Sequence, residues 1–387
     1  MNPIYKTQIL QGHGRPIKNI KFSNDGTQIF SASADRKVIR WDYQANSKAS
    51  FTFTHQASVN VICISPTNKT MLTGDSTGCI YIWDLDHTSL IKKIEFDPCL
   101  NVRSIEISTD NVHAIVTLAA RTKNSKSLVN AYLMADLTFP QGEAEGKVPP
   151  TPVKTFECTE LSTKFVQAKF TNYNKSLLIS REDGGLKMIN FENGNVISCN
   201  KFHDDIILDF DVNFENGIIL TSSKDGYLSL INLNTFQLVR KFHPENPTRN
   251  LNACVISVID NPYYNMPTVS SNVISVDNLF DLTEDINTLL STASSPNNQS
   301  KFGKGKEIIL AIASGGQDSK FVTTTNQKEG GFDILIYNAM NGELLASFLD
   351  HFGPVNSLAV HDRTLASGAE DATVRIHKID HYLFDKK

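Results

Sequence analysis

Two Trp-Asp pairs, Trp41-Asp42 and Trp83-Asp84, stand 42 residues apart, and each follows a His by 28 residues, His13 and His55. The skeleton recurs with the Trp eroded. His203, Asp225 and Ile231 repeat the spacings of His13, Asp35 and Trp41 without slippage. His351, Asp371 and His377 keep the second spacing and lose two residues from the first. Alternating runs such as Ile17-Lys18-Asn19-Ile20-Lys21-Phe22 and Val38-Ile39-Arg40-Trp41 predict short strands, and Ser23-Asn24-Asp25-Gly26 predicts a polar turn between them. One such unit buries too little apolar surface to stand alone, so the units must stack around an axis and close into a ring. A period of about 40–45 residues with four strands per unit is that of a propeller blade.

The spacing resembles the WD repeat. That resemblance implies a hydrogen-bonded set of His, Ser or Thr, Asp and Trp tying the strands of a blade together. Blade 1 offers His13, Ser33, Asp35 and Trp41 for the set. Blade 2 has His55 and Trp83 but Thr77 at the Asp position, so its set is expected to be incomplete. Asp183, His203, Asp225, His351 and Asp371 fill matching positions in blades 4, 5 and 7. These are structural roles, and no His among them is expected to bind metal or act as a base.

Subtracting two insertions from the 387 residues leaves about 320, enough for seven blades. The expected fold is therefore an all-β, seven-bladed propeller formed by residues 1–387 as one unit, interrupted at about 138–156 and 260–306. Ile4 to Leu10, before blade 1, is expected to supply the outer strand of blade 7 and latch the ring, removing an exposed sheet edge. Blade 3, at about 96–137, has lost both His and Trp. The stretch Pro140 to Pro152 is rich in Pro, Gly and Glu and reads as a solvated loop. In the second insertion, Asp281-Leu282-Thr283-Glu284 has the form of a capping box opening a short helix.

A net charge of −4 and a pI of 6.2 give no global reason to bind nucleic acid or an anionic membrane, although a local basic patch is compatible with both figures. Direct nucleic-acid binding is not expected. The six cysteines have no CxxC spacing, and no apolar run approaches the length of a membrane span. A cytoplasmic protein without cofactor or metal is expected.

One catalytic motif is present in letter. Gly74-Asp75-Ser76-Thr77-Gly78 matches G-x-S-x-G, which in hydrolases needs a strand turning sharply into a helix. The 42-residue register instead lays it over a turn between antiparallel strands. His203, Asp204, Asp205, Asp209 and Asp211 suggest a metal site on composition, but His203 stands in the structural register, and acidic strand starts are more often solvated faces.

The last third carries a closer resemblance. Gly315-Gly316-Gln317-Asp318 with Tyr337, and His351-Phe352-Gly353-Pro354-Val355-Asn356 with Ser367-Gly368-Ala369-Glu370-Asp371 and His377, resemble blades 6 and 7 of the i subunit of eukaryotic translation initiation factor 3. Leu10-Gln11-Gly12-His13-Gly14-Arg15-Pro16-Ile17 is similar to that family's opening, and the erosion order Trp41, Trp83, Tyr337, His377 agrees with it. The resemblance implies a non-catalytic scaffold that binds the b and g subunits and reaches the small ribosomal subunit through the complex. It further implies that a helix of the b subunit docks on blades 5 and 6, where the matching residues are Glu215, Asn232 and Gln317. The alternatives are a generic WD-repeat adaptor, such as a receptor-associated scaffold, and a substrate receptor of a ubiquitin ligase. Gln44 and Asp86 stand where the latter carry Arg, two residues after the Trp-Asp pair.

Overall fold

The computed structural model describes residues 7–44, 48–121, 126–138, 150–158, 163–171, 174–244, 250–260, 307–316 and 331–379. They form seven four-stranded antiparallel sheets, each the blade of a propeller. Blade 1 runs Ile17–Phe22, Ile29–Ser33, Lys37–Asp42, Lys48–Thr54, from the channel outward. Blade 7 is closed by the N-terminal strand Gln8–Gln11, which pairs antiparallel with Thr373–Lys378. Leu10 in that strand is 1% exposed, and Thr7 donates its hydroxyl to Asp350, so the latch is held by packing as well as by its ladder. Ile4 lies outside the described residues.

There is no single core. The buried side chains divide into seven apolar clusters, each a wedge between adjacent blades. Trp41 and Ile20 of blade 1 meet Ala366 and Ile376 of blade 7, whereas Phe30 and Phe53 on the other face meet Met71 and Trp83 of blade 2. A blade without neighbours would expose both faces, which is why ring closure governs stability here.

The seven innermost strands carry a register shift at the same place, at residues 17/19, 59/61, 102/104, 165/167, 207/209, 251/253 and 355/357. A bulge of this kind twists the strand and re-aims its side chains. The residue after the bulge often caps the next blade's otherwise free inner edge. Asn19 accepts the N–H of Ile62, Ser104 that of Ala168, Asp209 that of Cys254, and Ser357 that of Ile20.

Two positions further on, Lys21, Cys63, Glu106, Lys169 and Asp211 occupy equivalent places around the central channel. Lys169 pairs with Asp211 at 3.2 Å. Burial pushes the Glu106 carboxyl up to about 7, against the pull of Lys169 and Lys21 and with the push of Asp211. A folded-state value above the ordinary carboxylate range gives stability at low pH that is lost as pH rises through about 7. Glu106→Gln should therefore melt higher than wild type at pH 8, by at most about 3 kcal/mol in stability, and no higher at pH 5. Melting curves at the two pH values check it; an equal difference at both would remove Glu106 as the titrating group.

Blade 3 departs from the expected boundaries. Its third strand, Leu128–Leu133, runs into a five-residue helix, Met134–Thr138, and its fourth strand is Lys154–Glu157, which pairs back on Leu128–Ala131. The insertion thus lies inside the blade, between its third and fourth strands, and part of the interval 138–156 is blade. Lost His and Trp markers hid the last strand, which only its pairing identifies. Blade 6 is interrupted between Asn250–Asp260 and Glu307–Gly316, which pair along their whole length. The capping box at 281–284 lies outside the described residues.

Candidate functional site

Each blade presents loops on two rims. The turns between second and third strands and the connections into the next blade share the upper rim. The turns between first and second and between third and fourth strands share the lower one. The repeat residues bind the upper rim together. In blade 1, His13 Nδ1 lies 2.9 Å from Asp35 and its Nε2 lies 2.8 Å from the Ser31 hydroxyl, which also accepts Trp41 Nε1–H at 2.8 Å. Asp35 further accepts the backbone N–H of Gly14 and Lys37. Burial lowers the His13 imidazole despite its carboxylate neighbour. A neutral ring, donating to Asp35 and accepting from Ser31, satisfies every group in the chain.

The hydroxyl in this set belongs to Ser31, which corrects the assignment to Ser33. Pairing of Ile29 with Trp41 and of Ser31 with Ile39 brings Ser31 beside the indole. Ser33, one further step toward the turn, donates to the Arg15 carbonyl and accepts the Asp35 N–H. The hydroxyl comes 18 residues after the His in blades 1, 2 and 5 and 16 after it in blade 7, a spacing present in the sequence. In blade 2, Thr73 bonds His55 Nε2 at 2.7 Å and Trp83 Nε1 at 3.1 Å. Thr77 indeed offers His55 no carboxylate: its hydroxyl donates to Asp75, which is fully buried and also accepts Cys79 N–H and the Tyr81 hydroxyl. His55 Nδ1 has no partner among the described residues, and burial lowers its imidazole to about 4. Asp75 was missed in the sequence because it stands two residues before the expected position.

In blade 5, His203 lies 3.0 Å from Asp225 and 2.8 Å from Thr221. Burial alone would raise the Asp225 carboxyl, but His203 and the N–H groups of Tyr227 and Asp204 hold it at about 2. Blade 7 repeats the set with His351, Asp371 at 2.9 Å and Ser367 at 2.8 Å, and holds Asp371 far below the usual carboxylate range. His377, in the Trp position, stacks on Phe348 at 4.7 Å between ring centroids. Asp183 in blade 4 has no His in reach among the described residues; it takes a two-point ion pair from Arg181 at 2.6 and 3.1 Å and caps the Gly185 N–H.

The expected partner residues fall differently. Glu215 is exposed in the first turn of blade 5, on the lower rim. Asn232 lies near it, since the Leu233 N–H bonds the Gly217 carbonyl and so joins the two turns. However, Asn232 is 4% exposed and its Oδ1 accepts the N–H of Asn234 and Thr235. It closes its own turn, as Asp84, Asn190 and Asn338 do in their blades. Standing 29 residues after His203, as Asp84 does after His55, it is the eroded Asp of a Trp-Asp pair, and this corrects its reading as a partner contact. Gln317 lies outside the described residues. Phe214 and Leu238, 48% and 47% exposed, flank the same turns and were not singled out in the sequence.

Ser76 sits in the turn between the antiparallel strands Thr70–Asp75 and Cys79–Asp84, not in a strand-to-helix elbow. Among the described residues no group of three or more His, Cys, Asp or Glu side chains is arranged to hold a metal, and no helix is long and apolar enough to cross a membrane.

Residues 4–42, 47–84 and 342–378 match the WD domain, G-beta repeat family model. Over its whole length the chain is similar to eukaryotic translation initiation factor 3 subunit I of Kluyveromyces lactis, at 27% identity and covering 94% of that protein. The subunit I proteins of Aspergillus oryzae and Schizosaccharomyces pombe are 26% and 24% identical, with 96% and 99% of their lengths covered. The chain is a WD-repeat protein resembling subunit I. The matched WD repeats are the two units that keep Trp and the stretch that carries His351 and Asp371. Blade 5 of this WD-repeat propeller has the His–Thr–Asp set in place yet lies outside the match, with Ile231 where Trp would stand.

Proposed function

We propose that this chain is a non-catalytic scaffold subunit of eukaryotic translation initiation factor 3, acting in the cytoplasm. The carrying observation is similarity to proteins named subunit I along the full chain, insertions included, in several fungi. The geometry supports a scaffold: two rims of loops on a rigid ring, with the polar residues of the repeats spent on holding strands together. As the resemblance implies, the partners are the b and g subunits, and the small ribosomal subunit is reached through the complex. Affinity purification with mass spectrometry tests the assembly. Initiation factor subunits and ribosomal proteins should co-purify; ligase adaptors or receptors in their place would overturn the reading.

Glu215 is the residue of choice for the contact with the b subunit. It is exposed, and the exposed Phe214 and Leu238 beside it supply apolar surface for a helix. Charge at an interface rim acts on encounter and is screened by salt. Glu215→Lys should weaken binding of a peptide from the C-terminal end of the b subunit by about tenfold at low salt, less at high salt, with folding unchanged. Calorimetry measures it, and equal affinity for the two proteins would remove Glu215 from the interface.

A further inference from the structure

The acidic net charge of the chain conceals a local excess of cations. On the upper rim, from blade 1 to the entry of blade 4, Arg15, Arg36, Lys37, Arg121 and Lys164 have no carboxylate of the described residues within ion-pairing distance; the first four are exposed and Lys164 is half-buried. The carboxylates of the same rim are already engaged: Asp35 by His13, Glu370 by Lys18, Glu95 by Lys93, Glu157 by Lys126 and Glu182 by Arg103. Asp75 is fully buried within blade 2, so Asp97 is, among the described residues, the one exposed carboxylate of this arc without a cation. Arg121 donates to the Ser76 carbonyl, which fixes its guanidinium over the seam of blades 2 and 3.

At one end of this arc stands Phe352, 74% exposed, the most exposed large apolar side chain among the described residues. It follows His351 in the connection into blade 7. Its N–H is held by Asp371 at 3.1 Å, and the Arg375 guanidinium lies 5.6 Å from its ring centroid. Arg375 is 8% exposed and its Nε has no hydrogen-bond partner among the described residues. The loop is thus pinned by the blade's own His–Asp pair and presents a ring backed by a cation on one side, with most of its surface in water.

We propose that the upper rim of blades 7, 1, 2 and 3 binds single-stranded RNA, with the cations tracking the phosphate backbone and Phe352 stacking a base. Separated cations strung over adjacent blades suit a polymer with evenly spaced charges. An acidic peptide would need apolar pockets among the cations, whereas the large exposed apolar side chains here, Phe352 and Leu349, both stand at the blade 7 end. A basic track combined with an aromatic platform is the chemistry of sequence-tolerant single-strand binding. This surface lies on the rim opposite Glu215, so it does not depend on the partner contact proposed there.

The test is fluorescence anisotropy of a labelled oligouridylate of about 20 nucleotides with the full-length chain over a salt series. Saturable binding is expected, weakening steeply with salt. Replacing Arg15, Arg36 and Lys37 together with Ala should make the slope of log K against log salt shallower by about 2, since each phosphate contact on a single strand contributes about 0.7. Phe352→Ala should weaken binding about tenfold with the slope unchanged. Lys69→Ala with Lys175→Ala, on the lower rim, should leave binding as in wild type. Melting curves show that each variant is folded. The proposal is overturned by absence of binding at low salt, or by equal binding of folded wild type and triple variant. It is overturned equally if oligoglutamate at the same charge concentration displaces the RNA completely, which would make the rim an acidic-peptide site.

Discussion

Removal of residues 1–11 should lower the melting temperature by roughly 10 °C and make the protein aggregate on heating. The truncation deletes the fourth strand of blade 7, whose four residues pair with Thr373, Val374, Arg375 and Ile376. It takes Leu10 out of the wedge between blades 7 and 1, a loss of about 2 kcal/mol, and breaks ladder hydrogen bonds worth about 1 kcal/mol each. It also removes the Thr7–Asp350 bond and the bond from the Gln8 side chain to the Tyr43 carbonyl, which ties the latch to blade 1. Together these give about 4–6 kcal/mol, and at about 2 °C per kcal/mol for a chain of this size the shift follows. Thr373–Lys378 would become an uncovered edge, open to pairing with another chain. Leu10→Asp, which keeps the strand but spoils its packing, should give an intermediate shift. Scanning calorimetry with light scattering measures both; a truncated chain melting like wild type would refute the latch.

The second large effect is expected in blade 2, where the sequence shows a defect. Asp75→Ala should cost about 3–5 kcal/mol, because the lost carboxylate leaves two backbone N–H groups and the hydroxyls of Thr77 and Tyr81 without an acceptor inside the blade. Asp225→Ala should cost about 2–4 kcal/mol, since His203 and the N–H groups of Asp204 and Tyr227 lose theirs. Thr77→Ala removes one of Asp75's donors and should cost about 1 kcal/mol. Denaturant melts give the ranking, and a costlier Thr77→Ala than Asp75→Ala would mean that the blade 2 network is drawn wrongly. The Asp225 effect should also depend on pH. Its carboxyl sits at about 2, below the ordinary value of about 3.9, so its contribution is present above pH 4 and is lost as pH falls toward 2. The gap between wild type and Asp225→Ala should therefore close over that range.

His13, Asp35 and Trp41 were legible at once, because their partners lie within 28 residues and recur every 42. The same period announced strands, turns, blade number and the closing role of the N-terminal segment. Short-range geometry of this kind repeats in the sequence because each blade solves the same local problem. The choice between Ser31 and Ser33 was not legible, since both hydroxyls have the right chemistry and only strand register separates them. Asn232 misled for the opposite reason: its turn cap is local, but it was weighed by family likeness and not by its spacing from His203.

What tertiary structure alone decided lies between blades. The charged ring of Lys21, Glu106, Lys169 and Asp211 draws its members from four blades, and no spacing along the chain relates them as partners. The fourth strand of blade 3 is recognisable only by its pairing with Leu128–Ala131. The uncommitted cations of the upper rim emerge only after carboxylates elsewhere have taken their own partners, as Glu370 takes Lys18 from 352 residues away. A sequence determines which residues a blade needs, because those contacts are short and repeated. Ring closure determines which charges and edges are left over, because that depends on neighbours that meet only when the chain comes full circle.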